Sequence, residues 1–180
     1  MKRKMQTRTL RWISAAGVVM LAACSGGGSN SGSVQGTSGN FLVLRTTPPD
    51  NGKLFLNEPI RIDFSNPVDL SSADLNTMAF QVFDLNGTPS NERPSGEFSL
   101  APSAGDATVG RQLVFTPRFP TNNAYTNGGF KPGRNYLVQL VGGDSRNGTT
   151  LRDSQGRGLA APISFRFQTP DGTTPSQLFS

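Results

Sequence analysis

The sequence predicts an all-β fold, an antiparallel sandwich of about seven strands in two sheets, and two observations carry that expectation. From Phe41 to Thr169 apolar and polar residues alternate over short runs, the period of a strand with one face in a core and one in water. Clusters of Gly, Pro, Asn and Asp separate the runs, with no intervening amphipathic helices of the kind that connect parallel strands.

Phe41, Val43 and Arg45 oppose Leu42, Leu44 and Thr46 in a first strand, which ends at the turn Pro48-Pro49-Asp50-Asn51-Gly52. Ile60, Ile62 and Phe64 alternate with Arg61, Asp63 and Ser65 in a second. The pattern recurs from Met78 to Asp84, Glu97 to Leu100 and Gln112 to Thr116, then at Tyr136-Val138-Leu140 and Ile163-Phe165-Phe167. Only Leu70 to Asn76 has helical character, with Ser71 and Asp74 spaced as a capping box for a single turn. Residues 41–169 have the size of one domain, and 170–180 are expected to form a polar C-terminal tail.

The N-terminal 40 residues have a different texture. Lys2, Arg3, Lys4, Arg8 and Arg11 precede an uncharged run from Trp12 to Ala22, a basic flank and a short apolar stretch of the kind that directs export. That run is too short for a membrane-spanning helix, which needs about 20 residues. Leu21-Ala22-Ala23-Cys24 resembles the lipobox of bacterial lipoproteins. The resemblance implies a signal peptide over 1–23, cleavage before Cys24, and acylation of that thiol. Two or more acyl chains hold a protein to a bilayer without further contacts. By resemblance to lipoprotein sorting, Ser25 after the cysteine favours the outer membrane. Residues 24–40 then form a Gly/Ser-rich flexible linker with Val34 as its one branched apolar residue, spanning roughly 20–24 Å.

Charge follows the same division. The chain carries 17 Lys and Arg against 12 Asp and Glu, a balance that elsewhere points to nucleic acid or acidic lipid. Five of those basic residues lie in the signal segment, which leaves 12 against 12 after cleavage. No basic run interleaved with aromatics remains, which argues against a nucleic-acid partner. Histidine is absent and Cys24 is the single cysteine. Imidazole bases, Ser-His-Asp and Cys-His sites and disulfides are therefore excluded, and no cofactor is implied.

Six segments of 41–169 resemble, in order, the bacterial Ig-like domain of the SbsA type first described in S-layer proteins. They are Thr47-Pro48-Pro49-Asp50-Asn51-Gly52, Ile60 through Asp69, Leu113-Val114-Phe115-Thr116-Pro117, Lys131 through Tyr136, Leu151 through Gly156, and Phe165-Arg166-Phe167-Gln168-Thr169. The resemblance implies an Ig-like sandwich without catalytic residues. Stretches 86–110 and 117–130 are longer, and richer in Gly, Pro and Asn, than the family's usual connections.

Each candidate site has a structural alternative. Tyr136 follows Pro132-Gly133, a spacing that suits a tyrosine corner, in which the ring packs and the hydroxyl returns to upstream backbone; exposure for binding is the alternative. Phe119, Tyr125 and Phe130 lie in the long 117–132 loop and are candidate contacts for an envelope protein or glycan. Their alternative is to plug one end of the sandwich. Asp63 and Asp69 are a carboxylate pair of the kind a hydrolase or calcium site would need, but a wet strand face and the start of a turn are the preferred account of them. Asp144 through Gly148 and Asp153 through Gly156 are rich in oxygen ligands without EF-hand spacing, and hairpin turns explain both. Asn86-Gly87-Thr88 and Asn147-Gly148-Thr149 match a glycosylation sequon and are expected to be turns.

The function expected first is a non-catalytic, monomeric, lipid-anchored module of the cell envelope, with Cys24 as its lipidation site. An adhesin working through the 117–132 loop comes second, and a carboxylate-based hydrolase is a remote third.

Overall fold

The structure, a computed structural model, describes residues 40–101, 110–143 and 149–180. Cys24, the expected signal and linker segments as far as residue 39, and the turn expected at 144–148 lie outside the described residues. Nine strands form two sheets: β1 (Val43–Thr47), β2 (Gly52–Lys53), β3 (Ile60–Phe64), β4 (Met78–Phe83), β5 (Pro89–Ser90), β6 (Gly96–Ala101), β7 (Gln112–Pro117), β8 (Asn135–Leu140) and β9 (Ile163–Gln168). One sheet runs β1-β3-β7-β6 and the other β2-β9-β8-β4-β5.

The seven runs of alternating residues are all strands. The two that alternation did not mark, β2 and β5, are two residues long, too short to show a period. Pairing is antiparallel throughout except between β2 and β9, which run parallel, so the sheet expected to be wholly antiparallel has one parallel edge.

The inward set is the one that period 2 selects. Ile60, Ile62 and Phe64 of β3 and Leu113 and Phe115 of β7 meet Met78 and Val82 of β4, Tyr136, Val138 and Leu140 of β8, and Phe165 and Phe167 of β9. Phe80 of one sheet packs on Phe115 of the other at 5.3 Å between ring centroids, so the two sheets share one core. Several core residues come from outside the strands: Phe41, Leu54, Leu56, Val68, Phe130, Leu151, Leu159 and Leu178.

β1 departs from strict alternation. Val43 pairs with Phe64 and Arg45 with Asp63, so Leu44 is an extra residue in a bulge. A bulge switches the faces of everything after it. Arg45 consequently turns outward to Asp63, and Leu44 is 66% exposed.

The expected helical turn at Leu70–Asn76 is a 3-10 turn over Leu70–Ser72, and its cap is Asp69 rather than Ser71. The Asp69 carboxylate accepts from Ser71 N–H at 3.0 Å and Ser71 Oγ at 2.7 Å. Asp74 caps the next bend instead, accepting from the N–H groups of Asn76 and Thr77, both at 2.8 Å.

The C-terminal segment corrects the expectation of a polar tail. Pro175–Leu178 is a short helix, α1, entered through Thr173 and Thr174, whose N–H groups both donate to the Gln177 side chain. Leu178 is fully buried, its carbonyl accepts from Leu56 N–H at 3.0 Å, and Ser180 exchanges hydrogen bonds with the Asn57 side chain. The compact unit therefore runs to Ser180.

Candidate functional site

The two parts of the 117–132 segment have different fates. Its C-terminal end enters the core. Phe130 is fully buried, with its ring 5.9 Å from Phe115 and edge-on to Tyr136 and Phe167, each at 5.2 Å. A side chain so enclosed contacts no partner, so Phe130 leaves the set of candidate contacts. The reason is local: Gly129 lies against Ser95 and Arg118 so closely that a Cβ would meet the Ser95 carbonyl. This approach lets Phe130 drop between the sheets.

Tyr136 is buried and stacks on Phe167 at 4.9 Å and 9°. Its hydroxyl accepts from Lys131 N–H at 2.9 Å, five residues upstream, which is the geometry of a tyrosine corner. Burial pushes the phenol well above its usual range, against the opposing Lys131 hydrogen bond, so it stays neutral. The corner is stapled from a second side by Thr169, whose hydroxyl donates to Lys131 O at 2.7 Å and accepts from Arg134 N–H at 3.0 Å. Glu92 closes it on the outside, pairing with Lys131 Nζ at 3.0 Å and Arg134 Nε at 2.9 Å. The Arg134 hydrogen bond holds the Glu92 carboxyl below its ordinary value, overcoming partial burial, and Glu92 in turn raises Arg134.

The outward part of the loop is knit by its own side chains. Its base is closed by Gly129 N–H on Arg118 O at 2.7 Å and tied to the rest of the fold by Arg118 N–H on Ser95 O at 2.9 Å. Asn127 Oδ1 accepts from Thr121 N–H and Asn122 N–H at 2.9 and 3.2 Å, and Asn122 Oδ1 accepts from Thr126 N–H at 2.9 Å. This framework presents Phe119, 58% exposed, with one ring face laid on Phe179 at 4.9 Å and 27°. Tyr125 meets the same Phe179 ring edge-on at 5.5 Å and 75°. Two of the three loop aromatics therefore come together, and the residue that joins them is Phe179 from the segment expected to be a tail. A sequence signal for it existed: Thr174-Pro175 followed by Gln177 is a helix start, and Leu178-Phe179 is an apolar pair behind it.

The carboxylates are occupied structurally. Asp63 pairs with Arg45 at 2.8 Å and accepts from Gln112 Nε2 at 2.7 Å, while Asp69 caps the 3-10 turn. Asp153 is 1% exposed and receives Arg157 Nε at 2.7 Å, together with the N–H groups of Gln155 at 3.0 Å and Arg157 at 2.9 Å. Burial raises the Asp153 carboxyl, and these Arg157 and Gln155 bonds together outweigh it, holding it below the ordinary range. With both oxygens taken, the Asp153–Gly156 turn is a salt-bridged hairpin rather than a cation loop. Asn86-Gly87-Thr88 is likewise a turn, organised by Asp84, with Gly87 at φ 84°. Among the described residues no three His, Cys, Asp or Glu side chains are grouped to hold a metal ion. No described helix is long and apolar enough to cross a membrane.

No family model matches the chain, and no curated protein matches it. Solved structures do. CopC from Methylosinus trichosporium OB3b aligns over 75% of this chain and 98% of its own at 12% identity and a TM-score of 0.37. The N-terminal part of the bacterial S-layer protein SbsC aligns over 73% of this chain and 24% of its own, at 17% identity and a TM-score of 0.40. PcoC, a methionine-rich copper resistance protein from Escherichia coli, aligns over 72% of this chain and 98% of its own, at 12% identity and a TM-score of 0.32. Strand order and register establish the chain, independently of these likenesses, as an all-β sandwich.

Proposed function

We propose that this chain is a non-catalytic binding module of the bacterial cell envelope, an SbsA-type Ig-like domain held to the outer membrane by lipid on Cys24. The observation that carries the binding role is the outward aromatic of the 117–132 loop: a hydrogen-bonded loop presents Phe119 to solvent, while Tyr125 packs at the edge of the core and the candidate carboxylates are committed to an ion pair, a cap and a hairpin. Exposed aromatics on preorganised loops are efficient recognition anchors because little rotamer entropy is lost on contact. Support for the anchor lies in Leu21-Ala22-Ala23-Cys24 behind a basic, apolar leader. The Gly/Ser linker would set the domain clear of the headgroups and leave the loop free to reach a partner.

Fractionation of cells tests the anchor. The wild-type chain should sediment with outer membranes and the Cys24→Ala chain should appear in the soluble fraction; retention of that variant in membranes would overturn lipid anchoring.

A further inference from the structure

We propose that the platform formed by Phe119, Phe179 and Tyr125 binds the ring of a neutral pyranose, as the sugar-recognition element of a glycan-binding module; this rests on the envelope-binding reading and names the ligand of that same site. One face of Phe119 is covered by Phe179 and the side chain is still 58% exposed, so the face that remains is a flat, solvated aromatic surface of one-ring size. Such a face suits the axial C–H groups of a sugar, which lie against a ring's negative surface. A cation would be better served by rings on several sides, whereas here Phe119 and Phe179 are near-parallel and Tyr125 meets Phe179 edge-on.

The fringe points the same way. Residues 119–130 carry no charge; the 117–132 segment has Arg118 at one end and Lys131, paired with Glu92, at the other. The same loop exposes Thr121, Asn123, Thr126 and Asn127; Thr121 Oγ1 accepts from Asn127 Nδ2 at 2.8 Å and Thr126 Oγ1 from Asn122 Nδ2 at 2.9 Å. Among the described residues the Asn123 side chain makes no hydrogen bond, so its donor and acceptor are both available to sugar hydroxyls. Within 117–132 an acidic peptide or anionic headgroup would find Arg118 and a Lys131 already held by Glu92, whereas a neutral polyol matches the uncharged 119–130 stretch in charge and in hydrogen-bonding type. Asn122 and Asn127, committed within the loop, are positioning residues. Phe179 positions Phe119 from below.

Saturation-transfer NMR on the full-length chain, in a detergent free of sugar and choline headgroups, tests this with chitotetraose and maltoheptaose as probes. At least one probe should receive saturation at its ring C–H protons. Phe119→Ala should abolish the transfer with the melting temperature unchanged, Asn123→Ala should weaken it, and Phe119→Trp should retain it. Phe179→Ala should reduce it by releasing Phe119 from its stack. Absence of transfer to both probes overturns the inference, as does equal transfer in Phe119→Ala. Binding of choline or of an acidic peptide at Phe119 in place of sugar also overturns it. Capture of an envelope protein through Phe119 without sugar binding would sink the glycan and leave the envelope-binding reading standing, while that reading's anchor stands or falls on Cys24→Ala fractionation alone.

Discussion

Tyr136 fills a central place in the core and at the same time satisfies the N–H of Lys131 at the mouth of the corner. Tyr136→Phe keeps the ring and removes the acceptor, so a poorly solvated backbone donor is left without a partner. The expected loss is about 1–3 kcal/mol, read as a lower urea midpoint with an unchanged slope. Asp153 works through charge. Its folded pKa lies below the ordinary value of 3.8, so the stability it contributes is present above that value and is lost as pH falls through the folded one. The Asp153→Asn chain should start less stable at neutral pH and show a shallower acid dependence than wild type in urea midpoints taken between about pH 6 and about pH 2. An identical acid dependence would show that Asp153 is not one of the groups linking folding to protons. Phe130 illustrates what residue type conceals: it shares a loop with Phe119, and the two differ only in what the fold packs around them.

Among the elements, the C-terminal segment most changes the account of the molecule. Leu178 is fully buried between the 54–57 segment and the core, and Leu178→Ala should cost about 2–5 kcal/mol through lost burial and the cavity left behind. A tail with no structural role would give no change in the thermal or urea transition. The 117–130 loop depends on Gly129, where a Cβ would lie 2.1 Å from the Ser95 carbonyl and 2.6 Å from Arg118 N. Gly129→Ala should destabilise by about 1–3 kcal/mol as backbone shifts to make room, and amide chemical shifts should move at Arg118 and Ser95. Seven strands were legible because each spans enough residues to display its period. β2 and β5 were not, since two residues have no period. β1 was legible only as far as its bulge, because the register shift there is set by pairing with β3 and leaves no mark in β1's own composition.

On the scale of the whole molecule, both sheets contribute to one core, so unfolding should be a single cooperative transition. Ile62→Ala in one sheet and Val138→Ala in the other should each lower the same transition, the former by about 2–5 kcal/mol, with circular dichroism and tyrosine fluorescence moving together. Two separated transitions would mean that the sheets are not one folding unit. Fold class, seven strands, their inward residues and the single-turn character of 70–76 were set by the sequence locally, because period 2 and turn chemistry act over a few residues. So was the absence of imidazole chemistry, which composition alone dictates. Tertiary structure decided which loop aromatics are core and which are surface, placed Asp153 in a buried ion pair, and brought Phe179 beneath Phe119 across 60 residues of chain. The physical reason is that burial of a loop side chain depends on what the distant parts of the chain leave room for, and neither periodicity nor composition carries that information.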